Sequence, residues 1–103
     1  MYKFIIGTTP TIKFVFHAVD PSDFVTAILT IKDRFDTIQI RKTLDEAFVG
    51  ENYIYWTLSQ EDTISMGAYR FTAMCNWVTG DGIRGASEPA EIKGVPNHIE
   101  GVL

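Results

Sequence analysis

The side chains best suited to catalysis or metal binding are few in this sequence and lie far apart. His17 and His98 are the only histidines, and only Asp20 and Glu100 lie near them as further ligand types. A metal site needs several cysteine, histidine or carboxylate ligands at close or matched spacing. We therefore predict no metal site, and we interpret both histidines as exposed residues at a strand end and in a C-terminal tail.

The single cysteine, Cys75, also lacks the surroundings of a reactive group. It lies in phase with Phe71 and Ala73 of an alternating segment, which predicts a position on the core-facing side. A catalytic thiol needs a histidine or a helix N-terminus that lowers its pKa, and the sequence shows neither nearby. We expect a buried thiol that acts as a small apolar side chain. One cysteine also excludes an intrachain disulfide, so packing alone must hold the domain.

Acidic residues and glycines show no pattern of a known site either. Gly80 and Gly82 are not followed by the helix and Lys-Ser/Thr pair of a phosphate-binding loop, so we expect them in turns. The acids have no calcium-loop spacing and are interpreted as solvated loop residues. They are Asp20, Asp23, Asp33, Asp36, Asp45 and Glu46. The sequence predicts no enzyme activity, no cofactor and no small-molecule substrate.

Length and charge restrict the classes of partner. The chain has 103 residues, which is the size of one domain, and 46% of them are hydrophobic, as in an ordered globular protein. Its net charge of −4 makes nucleic acid a poor partner. No stretch approaches the ~20 apolar residues of a membrane helix, and the N-terminus does not read as a signal peptide. We expect synthesis in a cytoplasm and no membrane contact.

The dominant pattern is alternation of apolar residues with a period of two. It occurs in five segments, at residues 12–16, 25–31, 38–40, 54–58 and 69–77. This period is typical of strands with one buried face. The side chains expected in the core are Phe14, Phe16, Leu29, Trp56, Phe71, Cys75 and Trp77.

Turn signals and one helical signal complete the predicted fold. Turn residues separate the strands at 20–23, 50–52 and 79–82. Ser59 and Asp62 have the spacing of a helix N-cap, and one helical turn before Gly67 would carry the chain between sheets. Segment 43–52 fits either a loop or a short helix. Pro96 cannot donate to a ladder, so a last strand ends near Val95 and residues 96–103 form a tail.

These elements predict a single all-β domain over residues 1–103. It is an antiparallel β-sandwich of about seven strands with a short apolar N-terminal strand and one short helical turn. The segment 58–71 resembles the E–F corner of immunoglobulin-like domains, with Asp62, Gly67 and Tyr69 at the matching positions. The resemblance implies that the Tyr69 hydroxyl bonds to upstream backbone. Phe71 replaces the second cysteine of that family, so its disulfide is absent and antibody or receptor function is not implied.

A wider stretch, residues 53–95, resembles small structural proteins of tailed phages of Gram-positive bacteria, in particular the N-terminal domain of baseplate upper proteins. The residues that carry the resemblance are Trp56-Thr57-Leu58-Ser59-Gln60-Glu61-Asp62-Thr63, Gly67 with Tyr69, Asn76-Trp77, Gly80-Asp81-Gly82 and Ile83-Arg84-Gly85-Ala86-Ser87. The resemblance implies a non-enzymatic virion component of the tail, baseplate or neck, made in the host cytoplasm. A capsid decoration protein is the neighbouring alternative. No catalytic residue carries over.

Candidate contact residues are the apolar chain ends and two tyrosines on the outer face of a strand. They are Tyr2, Phe4, Tyr53, Tyr55, Ile99, Val102 and Leu103. The expected partners are further copies of the chain and other virion proteins. A second interpretation is a carbohydrate or cell-surface binding module that acts through Tyr53 and Tyr55.

Overall fold

A computed structural model describes residues 1–99, which form nine strands and one α-helix in two sheets that face each other. The elements in chain order are β1 (Tyr2–Ile5), β2 (Thr11–Val15), β3 (Phe24–Asp33), β4 (Ile38–Thr43), β5 (Ala47–Val49), β6 (Tyr53–Thr57), α1 (Gln60–Met66), β7 (Arg70–Thr79), β8 (Arg84–Ala86) and β9 (Ala90–Val95). The predicted contact residues Val102 and Leu103 lie outside the described residues.

The strand order is that of an immunoglobulin-like sandwich. The large sheet runs β1-β9-β7-β3-β4 with β8 beside β7, and the small sheet runs β2-β6-β5. Strands β9, β7, β3 and β4 take the places of G, F, C and C′, whereas β2, β6 and β5 take those of B, E and D. The predicted all-β sandwich is confirmed. It has nine strands instead of about seven, and β1 pairs with β9 in parallel.

One addition to the strand count comes from an interrupted strand beside β7. Both β8 and β9 pair with β7, β8 along residues 76–78 and β9 along residues 70–73. Between them, Pro89 has no N–H to donate. The Ser87 hydroxyl accepts the N–H of Cys75 at 2.9 Å, and the Ser87 N–H donates to the Cys75 carbonyl at 2.8 Å. The ladder is interrupted, but the backbone of Cys75 keeps its partners.

The second addition lies in segment 43–52, which the sequence left open between loop and helix. A 3₁₀ turn at Leu44–Glu46 leads into β5, which pairs with β6. The indole N–H of Trp56 donates to the Thr43 carbonyl at 2.8 Å and fastens this segment to β6. Phe48 and Val49 are adjacent apolar residues, so the sequence of this segment shows no alternation. Both side chains are exposed.

The core lies between the sheets. Of the side chains expected there, Phe14, Leu29, Trp56, Phe71 and Cys75 are buried, while Phe16 and Trp77 are half-buried and pack against it. The rings of Phe16, Phe24 and Trp77 form one aromatic cluster with centroids 5.0–5.5 Å apart.

Phe4, expected as a contact residue, belongs to the core instead. Its side chain is only 2% exposed, and its ring centroid lies 6.5 Å from that of Phe71. The reason is the pairing of β1 with β9, which places Phe4 opposite Gly94 and directs its side chain between the sheets. An apolar chain end is therefore already used by the fold.

Two bulges shift the predicted alternation. Register shifts occur between Phe24 and Thr26 in the pairing with β7, and after Ile31 in the pairing with β4. As a result Phe24 is buried and Val25 is exposed, and Ile38 is exposed as well. A bulge adds one residue to a strand, and the side chains on either side of it change faces.

Helix α1 carries the chain from the small sheet to the large one, as predicted. The Ser59 hydroxyl accepts the N–H of Asp62 at 3.0 Å, and the Asp62 carboxylate accepts the N–H of Ser59 at 2.9 Å. This reciprocal pair is a capping box. Gly67 ends the helix with a φ of 79°, a conformation that favours glycine.

The corner after α1 differs from the expected tyrosine corner. Tyr69 is 60% exposed, and its hydroxyl has no hydrogen bond to residues 1–99. Tyr69 precedes the first residue of β7, so the alternation that buries Phe71 does not extend to it. Backbone contacts hold the corner instead. The Gly94 N–H donates to the Tyr69 carbonyl at 2.9 Å, and Gly94 lies against the Gly67 carbonyl, where a Cβ would not fit.

Candidate protein-contact surfaces

The side chains with catalytic or metal-binding chemistry lie apart in the structure. His17 and His98 are both exposed, after β2 and after β9. Within residues 1–99 no group of three or more histidine, cysteine or acidic side chains is arranged to hold a metal ion. Cys75 is buried, and burial raises the pKa of its thiol to about 12, which keeps it protonated and a poor nucleophile.

The same part of the chain contains no helix of sufficient length and apolar character to cross a membrane.

Three aromatic rings lie together on the outer face of the small sheet. Phe48 on β5 is paired with Tyr55 on β6, and Tyr53 lies two residues before Tyr55 on the same face. The Phe48 centroid is 5.0 Å from that of Tyr55 and 6.2 Å from that of Tyr53, with ring planes within 20°. Cross-strand aromatic pairs of this kind stabilise a sheet. The three rings therefore hold one another in a fixed, parallel arrangement.

Neighbouring residues fix this arrangement further. The Lys13 ammonium lies 4.2 Å from the centroid of Tyr53, which is a cation–π contact. The ring of Tyr53 also lies directly over Gly50, whose missing side chain leaves the space that the ring occupies. Val15 is half exposed and extends the apolar area along β2. We call this face the aromatic surface; its residues are Lys13, Val15, Phe48, Tyr53 and Tyr55.

The structure brings the two predicted tyrosines together and adds Phe48, which sequence reasoning missed. Phe48 is 51% exposed, more than either tyrosine. The turn residues at 50–52 are the only sequence signal for this position, because a hairpin at this turn pairs Phe48 with Tyr55. The sequence of β5 does not alternate, so the turn alone does not identify Phe48.

A cleft of about 540 Å³ opens between the sheets on the side of β2 and β9. Its apolar floor consists of Ile12 and Phe14 from β2, Ala73 from β7 and Ile92 from β9. Tyr2, a predicted contact residue that is 45% exposed, stands at its rim. Ile99, the other described candidate of the chain ends, is also exposed.

Beside this cleft, β2 has a free backbone edge. The N–H of Phe16 donates to the Asn52 carbonyl at 2.8 Å, in register with the pairing of β2 and β6. In an antiparallel ladder alternate residues bond to the same neighbour, so Thr11, Lys13 and Val15 direct their N–H and C=O groups to the other side. Within residues 1–99 no strand pairs with that side.

The β3–β4 hairpin presents one further exposed aromatic residue, Phe35, with 73% of its surface accessible. The Asp33 carboxylate accepts the N–H groups of Thr37 at 3.0 Å and of Phe35 at 2.8 Å. The bond from Thr37, above all, lowers the pKa of Asp33. The hairpin is thus an ordered loop. An isolated phenylalanine in a turn has no periodic signal, so the sequence pattern does not mark Phe35.

Comparison with models of protein families finds no family that matches the chain, and comparison with curated proteins finds no significant match.

Proposed function

We propose that this domain is a non-enzymatic assembly module of a tailed phage particle, placed in the tail, baseplate or neck, that acts through protein–protein contacts. The observation that supports the assembly role is the aromatic surface, where Phe48, Tyr53 and Tyr55 are stacked with Phe48 half exposed. The phage context depends on the resemblance in residues 53–95. The partners are further copies of the chain and other virion proteins.

The aromatic surface has the properties of a contact site. Protein interfaces are enriched in aromatic residues, and exposed apolar patches with polar rims mark interaction sites. The rings of Phe48, Tyr53 and Tyr55 already hold one another, so a partner that covers them would lose little side-chain entropy on binding. Lys13 supplies a positive charge at this apolar area in a domain whose net charge is −4.

Association measured by analytical ultracentrifugation tests the assembly role. We expect the wild-type chain to self-associate with rising concentration, and Phe48→Ser to weaken this association at least tenfold. Ile83→Ser is the matched control, because Ile83 is 61% exposed but lies on the β7–β8 turn, away from the aromatic surface. Equal association of both variants would contradict a role for the aromatic surface.

The phage context has its own test. Quantitative mass spectrometry of purified particles, produced from the genome that encodes this chain, should find the protein in stoichiometric amounts. Labelling with an antibody then distinguishes tail, baseplate or neck from a decoration protein on the head. A chain that is expressed during infection but missing from the particles would overturn the virion proposal.

A carbohydrate-binding module is the second candidate, because the aromatic surface combines ring faces with the Tyr53 and Tyr55 hydroxyls and the Lys13 ammonium. Stacked aromatic faces beside hydrogen-bonding groups suit a ligand that is apolar on one face and polar at its edges. A glycan array decides between the candidates. Binding by the monomer that Tyr55→Ala abolishes would favour the carbohydrate role, and no binding would favour assembly.

A further inference from the structure

We propose that the free edge of β2 and the cleft beside it form an acceptor groove for an extended strand, and that residues 96–103 of a second copy of the chain supply this strand. The proposal rests on the assembly role and names the surface that links the copies. The groove is defined by Thr11, Lys13 and Val15 at its edge and by Ile12 and Phe14 on its floor.

The groove has the two features that strand addition requires. Its backbone edge is unpaired within the described chain, since Thr11, Lys13 and Val15 direct their N–H and C=O groups away from β6. Its side-chain floor is apolar, with Ile12 and Phe14 on the cleft side of β2. Main-chain bonds along an edge give affinity, and pockets for alternate side chains give specificity.

Charge disfavours the simplest occupant, the same edge of another copy in the symmetric register. Two β2 strands paired antiparallel about their middle residue would place Lys13 directly opposite Lys13. Like charges at opposed positions destabilise a sheet, and an edge lysine is a common guard against such pairing. Lys13 is basic, whereas Glu88 and Glu91 on the other side of the cleft are acidic, so the groove favours a strand whose acidic residue lies opposite Lys13 and away from β9.

Residues 96–103 meet this requirement by their sequence. Glu100 is the single charged residue of the segment, and it is flanked by Ile99, Gly101 and Val102. With Glu100 opposite Lys13, the period of two directs Ile99 and Gly101 to the floor of the groove. Residues 100–103 lie outside the described residues.

The described part of the tail fits a segment that docks elsewhere. Residues 96–99 belong to no strand and are exposed, including the apolar Ile99 at 51%. The Asn97 amide donates to the Ile6 carbonyl at 3.0 Å, so the tail leaves the domain at the end of β9. The cleft is lined by Glu88, Ala90, Glu91 and Ile92 from around the opposite end of β9, which favours a donor from another molecule.

Donation from tail to groove is a head-to-tail contact. It links identical subunits into a ring if the rotation closes and into an open filament if it does not. The smallest closed product is a twofold dimer in which two copies exchange tails, and larger rings and filaments suit a repeating structural protein.

A charge exchange in the full chain tests the pairing of Lys13 with Glu100. We expect Lys13→Glu alone and Glu100→Lys alone each to weaken association at least tenfold by ultracentrifugation. In an equimolar mixture of the two variants, contacts between unlike copies are matched and contacts between like copies are not, so the mixture should associate by alternation of the two. The double variant restores the pairing in every contact and should recover association to within threefold of wild type. Failure of the double variant to recover would overturn the proposed partner residue.

A proline exchange tests the backbone edge. Lys13→Pro removes an N–H that faces the groove and leaves the β6 ladder intact. Val49→Pro is the matched control, because Val49 lies on the other edge of the same sheet, where its N–H also faces away from β6. We expect loss of association only for Lys13→Pro, with both variants folded by circular dichroism.

If both associate like wild type while Phe48→Ser does not, the acceptor groove is refuted and the aromatic surface stands. If the charge variants alter stability in a chain that stays monomeric, the tail binds its own domain and the second-copy proposal is refuted.

Discussion

Two strand edges lie on the same side of this sandwich, and the fold treats them differently. The outer edge of β9 in the large sheet is covered by β1, which pairs in parallel from Tyr2 with Ile92 to Ile5 with Val95. The outer edge of β2 in the small sheet has no partner within residues 1–99. An uncovered edge is a template for another strand. The comparison indicates that one edge contributes to stability and the other is available for binding.

The turn between β1 and β2 explains why β1 joins the large sheet. Gly7 has a φ of 84°, and its N–H donates to the buried Thr63 hydroxyl of α1 at 2.9 Å. The Gln60 side chain donates to the Gly7 carbonyl at 3.1 Å. These bonds fix the turn on α1, so β1 ends beside β9 before the chain crosses to β2.

The largest effect on the free energy of unfolding is expected at Phe4, the side chain that β1 packs into the core. Phe4→Ala removes a ring that is 2% exposed and packs on Phe71, and such deletions cost about 3–5 kcal/mol of the free energy of unfolding. Urea unfolding measures it. Ile5→Ala is the control, because Ile5 is 49% exposed on the same strand and should cost about 1 kcal/mol or less. Similar losses for both would mean that β1 does not close the core.

The next effect concerns the residue that lets β9 approach the corner after α1. Gly94→Ala places a Cβ against the Gly67 carbonyl, a backbone atom that cannot move aside cheaply. We expect a loss of about 2–3 kcal/mol in the free energy of unfolding, as for overpacked sites. Gly80→Ala is the control, since its added Cβ would lie 3.8 Å from Val25 and should be nearly neutral. A neutral Gly94→Ala would contradict the close approach of β9.

A charge contact between β4 and α1 should have a smaller effect on the free energy of unfolding, and this effect should depend on pH. The Lys42 ammonium on β4 lies 3.1 Å from the Asp62 carboxylate on α1. Burial raises the pKa of Asp62, but the bonds from Ser59 and Lys42 outweigh it and hold the pKa below its usual value. A lowered pKa stabilises the fold above the pKa of the unfolded state, and this stability is lost as the pH falls through the folded value.

We therefore expect Asp62→Asn to cost about 1 kcal/mol near neutral pH and to flatten the loss of stability below about pH 4. Urea unfolding across this pH range measures both. Asp36→Asn is the control, because the Lys32–Asp36 pair has its carboxylate 85% exposed and should contribute little. An unchanged acid dependence in Asp62→Asn would exclude this contact as its origin.

The sequence predicted those parts of the fold that depend on local pattern. Alternation located Leu29, Trp56 and Cys75 on buried faces, and the spacing of Ser59 and Asp62 marked the capping box. It failed where a distant partner decides. The burial of Phe4 depends on β9, about ninety residues later in the chain, and no local signal shows this.

The candidate site was predicted only in part for the same reason. Tyr53 and Tyr55 follow from the phase of β6, whereas Phe48 requires the pairing of β5 with β6. The free edge of β2 is a property of sheet order, which no single segment contains. Tyr69 is the opposite case, a feature that a local motif predicts and the structure lacks. Its side chain is exposed and does not make the expected hydroxyl bond.

The last prediction compares the β2 edge with the core through the reactivity of a thiol at each place, and it involves the smallest change in stability. Cys75 is buried and its pKa is raised to about 12, so a chromogenic aromatic disulfide should react with it only through unfolding. Val15→Cys in a Cys75→Ala background places a thiol on the half-exposed β2 edge and should react orders of magnitude faster at low protein concentration. If a strand from a second copy occupies the groove, this fast reaction should slow as the concentration rises into the associating range. A rate for Val15→Cys that is as slow as that of Cys75 at high dilution would show that the β2 edge is covered within one molecule, and the contrast between the two edges would not hold.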